Sequence, residues 1–131
     1  AERGDIVIID VQGDPDFEPE TDNIIKRLIA TEGDCVKCED GVVWVKPAGG
    51  EYAPLDEPYT KGVTPDFAEV AVGEGEIFFL GDNRGVSRDS TEVGTRLYSD
   101  IIGVVPDWAV SIKGFTTVVE TIRFALQDLL S

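Results

Sequence analysis

A mostly β domain of twisted antiparallel sheets is what this sequence predicts, and three observations carry the prediction. The apolar runs are short and rich in Val and Ile, as half-buried strands require. Turn-forming residues separate them, with 14 Gly and 7 Pro among 131 residues. Two runs are joined by Asp40-Gly41, the pair that type I′ hairpins favour because both central residues need positive φ.

In chain order, Asp5 to Val11 is the first expected strand. Pro15 and Pro19, set among Asp14, Asp16, Glu18, Glu20 and Asp22, then make an acidic loop. Asn23 to Ala30 is the second strand. Cys35 to Cys38 and Val42 to Lys46 form the hairpin around Asp40-Gly41. Pro47, Pro54, Pro58 and Pro65 make residues 47–67 an irregular excursion. Ala68 to Val72, Glu76 to Leu80, Ile101 to Val105 and Trp108 to Lys113 complete the strands. Thr116 to Leu130 gathers Val118, Val119, Ile122, Leu126, Leu129 and Leu130 on one side at helical spacing, an amphipathic helix. The expected organisation is a β core over residues 1–115, a smaller excursion within it at 35–67, and the helix at 116–131. Strands Asp5–Val11, Asn23–Ala30, Glu76–Leu80 and Ile101–Val105 are expected to make the central sheet.

Composition removes several functions. With 11 Lys+Arg against 26 Asp+Glu the net charge is -15, which repels phosphate backbones, so nucleic acid is not an expected partner. There is no histidine, which excludes an imidazole base and the commonest zinc ligand. Cys35 and Cys38 are two ligands where a zinc site needs four, and i, i+3 positions in a strand point to opposite faces. Reduced thiols are therefore expected, with no metal and no cofactor. The chain starts at Ala1, holds no methionine and enters a strand within a few residues, so it reads as part of something longer.

Acid–base chemistry without histidine falls to Lys, Tyr, Asp or Glu. Alternation along Asn23–Ala30 places Ile24, Lys26 and Leu28 on one face and Ile25, Arg27 and Ile29 on the other. A lysine buried on such a face loses solvation, which lowers its pKa and makes it a general base; at a strand edge it would instead snorkel to water. The second constellation is Gly81-Asp82-Asn83-Arg84-Gly85-Val86-Ser87-Arg88-Asp89-Ser90, a loop dense in charges and hydroxyls. It lacks the Gly-Lys-Ser/Thr ending of a phosphate loop.

Taken in order, Arg3-Gly4-Asp5-Ile6-Val7, Lys26-Arg27 through Gly33-Asp34, and Gly81 through Ser90 closely resemble the bacterial type I signal peptidase family. Leu55-Asp56-Glu57-Pro58-Tyr59 and Gly75 through Leu80 look like its connectors, so the resemblance covers about residues 3–105. It implies the β fold of a signal-peptidase catalytic core. It also implies a membrane-anchored serine endopeptidase with a Ser–Lys dyad, which removes signal peptides from exported preproteins after small residues in an Ala-X-Ala pattern. By position, Lys26 matches the general base, Ser87 the hydroxyl that orients it, and Arg27 with Asp82 a supporting ion pair. Gly81 and Asp89 belong to the supporting loop, while Asn23, Ile24 and Ile25 match residues that contact substrate. The resemblance places the nucleophilic serine and membrane anchor upstream of Arg3, outside these residues, with the catalytic domain on the extracytoplasmic side of the cell membrane.

This sequence departs from the family pattern at two places. Ala30-Thr31-Glu32 stands where Gly-Leu-Pro is common, and Thr91 stands where an arginine follows the Asp-Ser pair. The second departure leaves Arg88 or Arg84 as the expected partner of Asp89. Two other readings compete. A self-cleaving repressor shares the dyad but lacks the Gly81–Ser90 loop; a non-proteolytic signal-peptidase-like binding or assembly module would differ only upstream. The apolar run Val104–Val110 and the helix at Thr116–Leu130 either pack internally or let copies of the chain self-associate.

Overall fold

The computed structural model describes residues 1–85 and 89–106. Within them lie β1 (Ile6–Asp10), β2 (Asn23–Thr31), β3 (Cys35–Glu39), β4 (Val42–Lys46), β5 (Ala53–Pro54), β6 (Phe67–Ala71), β7 (Glu76–Leu80), β8 (Arg96–Leu97) and β9 (Ile101–Val105), with a one-turn helix α1 (Ser90–Val93) between β7 and β8. They form a five-stranded sheet in the order β8-β7-β2-β1-β9 and a four-stranded sheet in the order β5-β4-β3-β6. Every strand pairing is antiparallel. The fold is the mostly β class that the sequence predicts. The expected strand Trp108–Lys113 and the helix Thr116–Leu130 lie outside the described residues.

The four strands expected at the centre, β1, β2, β7 and β9, share the larger sheet. The stretch expected as an excursion builds the smaller sheet and runs on to Ala71. Its hairpin turns where Asp40 and Gly41 take φ of 52° and 77°, the two positive values a type I′ turn demands. Asp66 accepts from both turn amides, Asp40 at 3.1 Å and Gly41 at 3.0 Å, and these bonds hold its carboxyl below the ordinary range.

β7 is apolar without alternation because both of its faces are covered. Phe78 and Leu80 pack with Ile29, Ala30, Val36, Cys38, Val43 and Val45, a cluster that joins the two sheets. Ile77 and Phe79 face the other way onto Val7, Ile9, Val11 and Leu28. Burial of each such side chain is worth about 1.5–3 kcal/mol. A bulge between Leu28 and Ala30 lets Ile29 and Ala30 both join the first cluster, so alternation fails there.

The turn from β2 to β3 is tied by Asp34, which accepts from the Thr31 amide at 3.0 Å, the Ala48 amide at 3.2 Å and the Arg3 guanidinium at 3.2 Å. Gly33 takes φ of 86°, and a Cβ there would stand 3.0 Å from the Ala48 methyl, so glycine is required on both counts. Among the described residues β9 is the outermost strand of its sheet and leaves Ile102 and Val104 exposed.

Cys35 and Cys38 are free thiols. Burial and the nearby Asp66 push the Cys38 thiol up to about 11. No helix among the described residues is long and apolar enough to cross a membrane.

Candidate active site

β2 is the axis of the site. Its first half pairs with β1, Asn23 opposite Asp10 and Lys26 opposite Val7, and its second half pairs with β7, beginning at Arg27 opposite Leu80. β7 leaves the ladder at Leu80, so on that side Asn23–Lys26 have no strand partner among the described residues. The Gly81–Asp89 loop departs from this point.

Lys26 stands opposite Val7, which is fully buried, on the face that carries Ile24 and Leu28. Burial holds its ammonium below the ordinary lysine value, and the carboxylate of Asp89 opposes that shift. Ile24 packs against the cluster on the Lys26 face; Ile25 pairs with Ile8 and points the other way. Asn23, Ile24 and Ile25 are all half-buried.

Arg27 lies on the opposite face and is buried, forming a two-pronged pair with Asp82: Nε donates to Oδ1 at 3.2 Å and Nη2 to Oδ2 at 2.7 Å. Its Nη1 donates to the Gly4 carbonyl at 2.9 Å, which ties the Arg3–Val7 segment to the same centre. The Tyr59 ring lies 3.8 Å from the guanidinium carbon. Sequence reading expects the Arg27–Asp82 pair but does not single out Tyr59 for the site.

Arg84 is also buried and serves a different purpose from the one expected of it. Instead of reaching Asp89, it donates from Nη1 and Nη2 to Glu57, from Nε to the Gly81 carbonyl at 2.8 Å and from Nη1 to Thr64 at 3.0 Å. Asp89 is satisfied by Thr91, whose amide donates at 3.0 Å and hydroxyl at 2.6 Å. The residue that departs from the family pattern thus bonds Asp89, because a hydroxyl at the second position of a helix can reach the N-cap carboxylate. The Asp89…Glu92 spacing is an N-cap signature that marks α1 in the sequence. Ser87 and Arg88 lie outside the described residues.

Ser90 is buried, and its hydroxyl accepts from the Phe79 amide at 2.9 Å. It fastens α1 to β7. Gly81 is buried beside Arg84, to which it offers its carbonyl. Among the described residues no group of three or more Asp, Glu or Cys side chains is placed to hold a metal ion.

A family model described as signal peptidase, peptidase S26, matches residues 1–108. Thylakoidal processing peptidase 1 of Arabidopsis thaliana is 38% identical over 82 residues, covering 63% of this chain and 23% of that protein. Signal peptidase I of Bacillus licheniformis is 38% identical over 94 residues, 67% of this chain and 47% of that protein. Among solved structures, a signal peptidase I of Enterococcus faecalis superposes with a TM-score of 0.65 at 26% identity, over 81% of this chain and 97% of that one. The chain therefore spans less than half the length of these two curated relatives. On the match over residues 1–108, the chain belongs to the signal peptidase, peptidase S26, family.

Proposed function

We propose that this chain is the catalytic core of a membrane-associated serine endopeptidase that removes signal peptides from exported preproteins after small residues. The observation that carries the proposal is Lys26, a lysine disfavoured as an ammonium by its burial on β2. Its unprotonated amine takes the proton of a serine hydroxyl as the oxygen attacks the scissile carbonyl, then returns it to the departing amine. Water activated by the same amine releases the acyl group. The serine comes from outside these 131 residues, and Ser87 orients the lysine. Ser90 is not the nucleophile in this scheme, since its hydroxyl serves the Phe79 amide. An extended peptide lies along the side of β2 that β7 has left, where Asn23, Ile24 and Ile25 contact it. The protein works at the cell membrane, on its extracytoplasmic side.

A peptide with Ala-X-Ala before the scissile bond is expected to be cleaved by protein carrying a serine-bearing segment ahead of Ala1, and not by these 131 residues alone. Robust Lys26-dependent cleavage by the 131 residues would overturn the placement of the nucleophile. A longer protein that holds the serine yet cleaves nothing would support a non-proteolytic binding or assembly module.

Asp89 gives the scheme a signed pH dependence. Asparagine caps a helix as well as aspartate, so Asp89→Asn keeps the Thr91 bonds while deleting the charge that favours the Lys26 ammonium. Lys26 then ionises at lower pH, and the acid limb of cleavage is expected to move to lower pH. Movement of that limb to higher pH in a rate profile would contradict the assignment.

A further inference from the structure

The face of the larger sheet that points away from the smaller one carries the buried cluster of Val7, Ile9, Val11, Leu28, Ile77 and Phe79. Lys26 stands on this face, with Ile24 and Leu28 two residues to either side of it on β2 and the fully buried Val7 opposite it on β1. Among the described residues, the cover over the cluster comes from Phe17 in the loop between β1 and β2, from Val93 of α1 and from Ile101 of β9. The first two belong to segments that cannot hold their own shape, an acidic loop with two prolines and a helix of one turn.

Arg96 joins those two segments. Its ladder partner is Ile77, a member of the cluster, so its side chain rises on the same face. Nε donates to Asp14 Oδ2 and Nη2 to Asp16 Oδ2, both at 2.7 Å, on either side of which the loop turns back through Phe17. Nη1 donates to the Val93 carbonyl at 2.6 Å and the Thr95 carbonyl at 2.9 Å, which fixes the end of α1. The guanidinium carbon also stands 5.8 Å from the centre of the Phe17 ring. The head of the same helix is fixed by Ser90 on the Phe79 amide, with Asp89 as its cap. The charged groups brought to this face are therefore Asp14, Asp16 and Arg96, which pair with one another, Asp89 and the exposed Glu92 of α1, and Asp5, whose carboxylate accepts from the Glu2 amide at 2.8 Å.

We propose that Arg96 is a positioning residue for Lys26: by tying the Asp14–Phe17 segment to the end of α1, it closes the cover over the face of the sheet on which Lys26 stands. The role rests on the dyad reading above, since only a catalytic Lys26 makes the cover matter to turnover. Arg96 does not touch the reacting atoms. Opening the cover admits water to the Lys26 face, and solvation favours the ammonium again. The lysine is then driven back toward its ordinary value, opposite in sign to the effect of Asp89→Asn.

The test follows the Lys26 side chain by NMR titration in the chain itself, alongside its thermal midpoint. Arg96→Lys keeps the charge but loses the fork that reaches loop and helix together. It is expected to raise the Lys26 midpoint by roughly half a pH unit or more, about a threefold change in ionisation constant. Asp14→Ala with Asp16→Ala opens the latch from the other side. Removing two negative charges would by itself lower the Lys26 midpoint, whereas an opened cover raises it, so the sign decides, and a rise is expected. Either variant carries the test if the other does not fold. Val43→Ala, a cavity in the core that joins the two sheets, is expected to lower the thermal midpoint and leave Lys26 where it was. An unmoved or lowered Lys26 midpoint in a folded latch variant, or an equal shift in Val43→Ala, would overturn the proposal. Failure of the dyad reading looks different: a serine-bearing Lys26→Met protein that still cleaves, with the Arg96 effect on the Lys26 titration intact.

Discussion

Lys26→Met in serine-bearing protein is expected to lower kcat by about 100- to 10,000-fold, the usual contribution of a general base, while leaving the protein at least as stable as before. The two effects have one cause. The folded chain disfavours the Lys26 ammonium and the unfolded chain does not, so the unfolded state binds the extra proton between the lowered folded pKa and the ordinary 10.5. Stability therefore rises with pH through that window, and folding bears the full penalty at any pH below it. Methionine keeps the length of the side chain without the charge. A gain of up to about 2 kcal/mol is the usual scale for relieving a functional group of this kind. Kinetics on an Ala-X-Ala peptide with parallel thermal unfolding would measure both. A variant that loses activity only because it unfolds would contradict the assignment.

The largest expected loss of stability lies at Glu57. The Arg84 side chain is fully buried and that of Glu57 is 11% exposed, so Glu57→Ala strands a guanidinium whose other partners among the described residues are the Gly81 carbonyl and the Thr64 hydroxyl. Orphaning a buried charge costs about 3–5 kcal/mol, equivalent to a fall in thermal midpoint on the order of 10–20 °C for a chain of this size. Replacing the pair together, Glu57→Leu with Arg84→Met, is expected to recover most of the loss, because the penalty belongs to the unpaired charge and not to the missing attraction. A loss below about 1 kcal/mol in Glu57→Ala, the scale of a solvent-exposed pair, would show that the pair is not held as described.

What was legible in the sequence follows from the range of each interaction. β4, β7 and β9 match their expected bounds, and β1 and β2 differ only at their ends, because apolar patterning over five or more residues is a local record of burial. The expected strand Ala68–Val72 runs one residue earlier as β6, within the ordinary ambiguity of strand ends. β5 and β8 have two residues each, too few for any period to show, and α1 has four. Its cap signature, Asp89 with Glu92, was the one available cue.

The polar part of the site divides in the same way. Arg27 with Asp82 was accessible through the family motifs, which are compact in sequence. Tyr59 and Glu57 come from the proline-rich stretch, where nothing local distinguishes them from a surface turn, and they acquire meaning only when the fold lays that stretch against Asp82 and Arg84. The pairing of Arg96 with Asp14 and Asp16, which gathers the acidic loop against β8, spans 82 and 80 residues and was invisible for the same reason. Burial opposes ionisation of Asp14, yet the Asp16 amide and Arg96 outweigh it and hold its carboxyl below the ordinary range.

Titration of the Lys26 side chain in the folded chain shows whether β2 presents residue 26 as an amine ready to accept a proton. A single midpoint below the ordinary lysine value of 10.5, falling further in Asp89→Asn, is the expected result. A midpoint at or above 10.5 in the folded chain would contradict the account, since such a lysine would be an ordinary ammonium at any pH at which the protein works.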